Sequence, residues 1–174
     1  MATTFELIDK ATVGASGAAS VEFTSIPNTY NDLCVLMSLR VDGASLERNI
    51  KLNFNGVGGS SYYSKLLYGY GTLVASYSQN AAAAFEHFYA VGANATSNTF
   101  ANNQIYIPNY TSSNYKSFSV ESVCENNGSS SSMGLSAGLF SNTSAISSIK
   151  FDQTASGEKF VQYSSFYLYG IKNS

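Results

Sequence analysis

Ile50-Lys51-Leu52-Asn53-Phe54 alternates apolar and polar side chains every two residues, the mark of a strand with one buried face. Val21-Glu22-Phe23-Thr24 repeats the pattern, and neither stretch carries a helical stripe. In Leu33-Cys34-Val35-Leu36-Met37-Ser38-Leu39 both faces are largely apolar, which predicts a central strand covered on each side or packed under a second sheet. Further strand-like runs are residues 62–70, 103–107, 117–124, 133–140, 146–151 and 160–171, each bounded by Gly, Asn, Ser or Pro. Pro27 and Pro108 each follow an isoleucine and read as strand terminators. Residues 79–91 are ambiguous: Ala81 to Ala84 favour a helical turn, whereas Phe85-Glu86-His87-Phe88-Tyr89 suits a sheet, and the neighbourhood tips the reading to strand. The sum is about nine or ten short strands at roughly ten-residue spacing. This pattern predicts an all-β, antiparallel, jelly-roll-like β-sandwich. It forms one domain over residues 1–174, with residues 1–19 available as an N-terminal arm.

The 174 residues are 44% hydrophobic but only 11% charged, against a usual charged share of about 25%. The expected sandwich buries alternating Phe, Leu, Ile and Val, while Ser, Thr, Asn and Tyr take the outward positions where Lys and Glu usually stand. A net charge of -2 supplies too little positive charge to neutralise a run of phosphates, so nucleic-acid binding is not expected. Met1 to Val13 has no apolar core of a signal peptide, and no run approaches membrane-spanning length, so no membrane partner is expected. Cys34 and Cys124 stand far apart in apolar runs and read as buried free thiols, with a disulfide between them as the less favoured alternative.

Catalytic patterns are lacking. The single histidine, His87, lies in an aromatic run and reads as a packed or surface residue, and no serine sits in a Gly-x-Ser-x-Gly elbow. Glu121 and Glu125 would share one strand face about 13 Å apart, too far for a glycosidase pair within one strand. No His/Cys cluster or Asp-rich calcium loop suggests a metal, and Gly56-Val57-Gly58-Gly59 reads as a turn without the lysine of a phosphate cradle. The expectation is a non-enzyme without cofactor. The Asn-x-Ser/Thr sequons beginning at Asn94, Asn109, Asn127 and Asn142 are what chance gives in so Asn- and Ser-rich a chain.

Between Lys65 and Lys116 there is no Lys or Arg, and between Glu125 and Lys150 no charge of either sign. Either hydroxyls and amides alone solvate these faces, or the surface is covered in an assembly, because charge is depleted from interface cores and Tyr supplies contact area at low entropic cost. The candidate contact residues are Tyr62, Tyr63, Tyr68 and Tyr70 around Gly69 and Gly71, and Tyr163, Tyr167 and Tyr169, which share a face of the last strand by parity.

Ile26-Pro27-Asn28-Thr29-Tyr30-Asn31-Asp32-Leu33, Ile105-Tyr106-Ile107-Pro108-Asn109-Tyr110, Ser122-Val123-Cys124-Glu125-Asn126-Asn127 and the closing Phe160-Val161-Gln162-Tyr163 through Leu168-Tyr169-Gly170-Ile171 resemble segments of small virion structural proteins of tailed bacteriophages. With their spacing they cover most of the chain. The resemblance implies a virion component, as a head or tail structural protein or a terminal piece of a fibre, and carries no catalytic motif. Met1 to Ala19 is too short and irregular for a fibre attachment, which favours a decoration (cement) protein on the capsid surface with the major capsid protein as partner. A homotrimer would match a three-fold lattice position; that number comes from the role and from no residue. The alternative is a tail module that recognises host surface glycan through tyrosine stacking, a reading weakened by the absence of Trp.

Overall fold

The computed structural model describes residues 4–128 and 131–172. Residues 1–3 of the expected arm and Ser129 of the Asn127 sequon lie outside that range. The strands are β1 (Phe5–Thr12), β2 (Ser20–Phe23), β3 (Asp32–Leu39), β4 (Glu47–Phe54), β5 (Tyr62–Tyr70), β6 (Leu73–Ala82), β7 (Tyr89–Val91), β8 (Ala101–Ile107), β9 (Lys116–Cys124), β10 (Ser132–Phe140), β11 (Ile149–Gln153) and β12 (Ser165–Ile171). All pairings between strands are antiparallel. They build an eight-stranded sheet in the order β1-β12-β3-β8-β9-β10-β5-β6 and a four-stranded sheet in the order β2-β11-β4-β7. The fold is an all-β antiparallel sandwich.

The core fills the gap between the sheets. Ile50, Leu52 and Phe54 of β4 and Ile149 and Phe151 of β11 point inward, as their alternation predicts, onto Val35, Ile105, Val120, Phe166 and Leu168 of the large sheet. Edge-to-face rings lock the layers: Phe54 meets Phe118 at 5.3 Å and Phe85 meets Phe118 at 5.0 Å. Each such ring, fully buried, contributes about 3 kcal/mol from removal of apolar surface alone. β3 is interior to its sheet, as expected. Its second face is roofed by side chains instead of a further layer, for Cys34 lies between its cross-strand partners Tyr106 and Tyr169. Cys34 and Cys124 are both free and buried.

Four expectations need correction. Among the described residues the strands number twelve, not nine or ten, because β1 and β6 escape the alternation rule. In β1 the register with β12 shifts between Leu7 and Asp9, so the apolar positions change parity, and residues 5–12 form an edge strand instead of an arm. β6 lies at the other edge and is largely exposed on both faces, so nothing demands alternation. Within residues 79–91 the first four complete β6 and the last three form β7, while the stretch between them is irregular apart from a bridge from Phe85 to Leu52. Pro108 follows β8 directly, but Pro27 lies in the loop between β2 and β3 instead of ending a strand. The β5–β6 hairpin closes on Gly71-Thr72, with Gly71 at φ +54°, which glycine reaches at no Cβ cost.

Candidate functional site

The outer face of the eight-stranded sheet is the surface that departs from ordinary chemistry. Its register sets Asn102, Val123, Met133, Gly69 and Val74 in one row. The next row runs Tyr167, Leu36, Gln104, Glu121, Leu135, Leu67 and Ser76. Within the paired segments Lys10, Lys65 and Glu121 are the exposed Asp, Glu, Lys or Arg residues of this face. Asp32, at its margin, is buried, with its carboxylate accepting from Tyr106 Oη at 2.7 Å and from the Asn109 amide at 2.9 Å.

β10 is responsible for the most apolar part. In Met133-Gly134-Leu135-Ser136-Ala137-Gly138-Leu139 the alternation is clean, and read alone it would bury Met and Leu and expose Gly and Ser. The fold does the reverse, burying Gly134, Ser136 and Gly138 while Met133 is 64% and Leu135 53% exposed. The neighbours impose this. β9 on one side buries Phe118 and Val120, and β5 on the other buries Tyr62 and Leu66. These large side chains occupy the space in front of β10: a Cβ on Gly138 would meet the Phe118 ring at 2.2 Å, and one on Gly134 would meet Leu66 at 2.9 Å. A strand between two bulky neighbours keeps small residues inward and sends its large ones out.

Leu67, 58% exposed, and Val74, 77% exposed, join Met133, Leu135 and Val123 around a depression of about 430 Å³. Gly69, which has no side chain, lies between Met133 and Val74 in the row and contributes to its floor. The sequence contained the signal in the alternation of β10, but not the side to which it would point. Leu67, Val74, Val123, Met133 and Leu135 were therefore missed as contact candidates.

The seven candidate tyrosines do not form one surface. Tyr62 is in the core with no exposure, stacks on Phe140 at 5.2 Å and accepts the Phe54 amide at 2.7 Å, so it is removed from any contact surface; burial pushes its phenol up to about 12. Tyr63, its neighbour along β5, necessarily points the other way and lies opposite Leu139 on the outer face. Tyr68 and Tyr70 face inward, stack on each other at 6.0 Å, and Tyr68 also meets Tyr77 and Tyr89. Beside them Ser132 Oγ donates to the Glu47 carboxylate, whose pKa is held above its ordinary range by burial. Tyr167 and Tyr169 lie half-buried on the outer face, five strands from Tyr63, and Tyr169 meets Phe5 edge-on at 6.3 Å. Tyr163 does not share their face, because it precedes β12, with φ +73° and 69% exposure.

His87 packs edge-on against Phe85 and its Nδ1 lies 2.9 Å from Ser64 Oγ; burial lowers its pKa. This contact sets a hydroxyl beside an imidazole. Ser64 is only 8% exposed, and among the described residues no carboxylate hydrogen-bonds the imidazole. The described residues contain no group of three or more His, Cys, Asp or Glu able to hold a metal ion.

No protein-family model and no curated protein matches the chain. Among solved structures, it is similar to the galectin LEC-6 of Caenorhabditis elegans at 11% identity, covering 91% of this chain and 94% of that one, with a TM-score of 0.34. So distant a likeness says nothing about ligands.

Proposed function

We propose that this chain is a non-catalytic structural component of a tailed-bacteriophage virion, a decoration protein that lies on the head and contacts the major capsid protein through the outer face of its eight-stranded sheet. The observation that carries this reading is the orientation of β10. The fold spends a cleanly amphipathic strand on exposing Met133 and Leu135, and places Leu67, Val74 and Val123 around them. Contiguous exposed apolar groups of this kind mark protein contact sites. The scarcity of exposed charge across the same face agrees, since charge is depleted from interface cores. Binding that bridges neighbouring capsid subunits would stabilise the lattice by mass action.

The test is to incubate the purified chain, and Met133→Glu/Leu135→Glu, with undecorated heads and with intact host cells. Saturable binding to heads, lost in the double variant, is the expected result. Both side chains are already largely exposed, so the variant should fold normally. Binding to cells alone would replace this reading with the glycan-recognising tail module.

A further inference from the structure

The eight-stranded sheet has two edges, and they are built differently. β1 carries Glu6, Asp9 and Lys10 and shifts register between Leu7 and Asp9. Charge and a bulge are the usual means of stopping an edge from accepting another strand. β6, at the opposite edge, reads Leu73-Val74-Ala75-Ser76-Tyr77-Ser78-Gln79-Asn80-Ala81-Ala82 and has no Asp, Glu, Lys, Arg, His or proline. Its register with β5 runs unbroken from Leu73 to Gln79 and shifts only beyond that point, between Gln79 and Ala82, where Ala81 stands at φ +53°; no described strand pairs with its other side. The regular stretch from Leu73 to Gln79 presents about 24 Å of edge.

We propose that β6 is a strand-addition edge whose occupant is a second copy of this chain, the two β6 strands pairing antiparallel about a two-fold axis normal to the sheet. Such an axis keeps the faces of the sheet, so even-numbered residues meet even-numbered ones and odd meet odd. Val74, Ser76 and Ser78 gather on the outer face, and Leu73, Ala75 and Tyr77 on the inner. Self-pairing ordinarily suffers where like charges come opposite each other. Here no register does so, because the strand holds no charge. The two-fold pair also continues the apolar depression, which ends at Val74 on this edge, into its counterpart on the second copy. The β1 edge, which carries charge and is bulged at its middle instead of its end, cannot serve in the same way. This pair stands in place of the trimer expected from a three-fold lattice position, and it does not depend on binding to heads.

The contact is narrow. An edge of about 24 Å by roughly 10 Å buries about 240 Å² per copy, well under the ~800 Å² of a standard interface. The pair therefore forms in a concentration-dependent way. Sedimentation velocity on the full chain from micromolar to millimolar concentration, with amide hydrogen exchange at each step, tests this. The expected result is a shift from monomer to dimer, with protection gained at residues 73–80. Ser76→Lys/Ser78→Lys, at two exposed outer-face positions, should stay monomeric with unchanged thermal unfolding. A monomer at every concentration with no change in exchange, a trimer, or a dimer that survives the double variant would each overturn the proposal.

Discussion

Gly138→Ala should destabilise the fold although it adds one methyl group. Gly138 lies inward on β10, directly across from Phe118 on β9. A Cβ there would stand 2.2 Å from Phe118 Cζ and 2.4 Å from Cε2, whereas unstrained carbon contacts begin near 3.5 Å. The ring must withdraw by about 1.3 Å. It has nowhere easy to go, being held edge-on by Phe54 at 5.3 Å and by Phe85 at 5.0 Å, and it is itself only 3% exposed. Overpacking of this kind costs about 1–3 kcal/mol. Loss of glycine's unfolded-state freedom returns about 0.4–1 kcal/mol. A net loss of about 1–2 kcal/mol remains, or roughly 2–8 °C in Tm for a chain of this length. Urea denaturation followed by circular dichroism should show a lower midpoint with an unchanged m-value. In a Phe118→Leu background, where the ring is gone, the same substitution should cost much less. An unchanged or raised midpoint, or the same cost with and without the ring, would refute the account of why β10 turns its small residues inward.

Other consequences are open to direct measurement. Gln153 is buried with neither amide atom hydrogen-bonded, so Gln153→Met, close in volume, should raise stability by about 1–3 kcal/mol, read as a higher urea midpoint. Tyr163 holds a left-handed backbone with its ring exposed. Tyr163→Gly removes a Cβ penalty of about 1–2 kcal/mol against about 0.5–1 kcal/mol of added unfolded-state freedom, so a net gain of about 0.5–1 kcal/mol should appear as a raised Tm. His87 has a folded pKa below its ordinary value because burial disfavours the cation. Above about pH 6.5 both folded and unfolded states hold it neutral and its contribution is complete. As the pH falls below that value the unfolded state takes up the proton first, so stability declines until the folded pKa is passed. His87→Gln should flatten that part of a stability-against-pH profile, and an unaltered slope would show that other groups set it.

The strand positions were largely legible in the chain because alternation is a local property. β5 begins and ends where its turn residues predict, and β4 buries the side that its Ile, Leu and Phe mark out. β1 was hidden by a bulge that changes parity mid-strand, and β6 by the absence of a buried face. The candidate tyrosines are divided between the faces for a related reason. Tyr62 and Tyr63 are adjacent in sequence and therefore opposite in space, and Tyr163 lies before the strand whose parity it was assumed to share.

By itself the amino-acid sequence determined an all-β sandwich poor in charge, because period-two patterning and composition need no knowledge of distant partners. Only the tertiary structure decided which side of β10 meets water. A strand's two faces are equivalent until its neighbours choose between them, and here Phe118 and Leu66 fill the inner space and turn Met133 and Leu135 outward. The unguarded β6 edge was settled in the same way. Being last in the sheet is a fact of strand order, which no single stretch of residues contains.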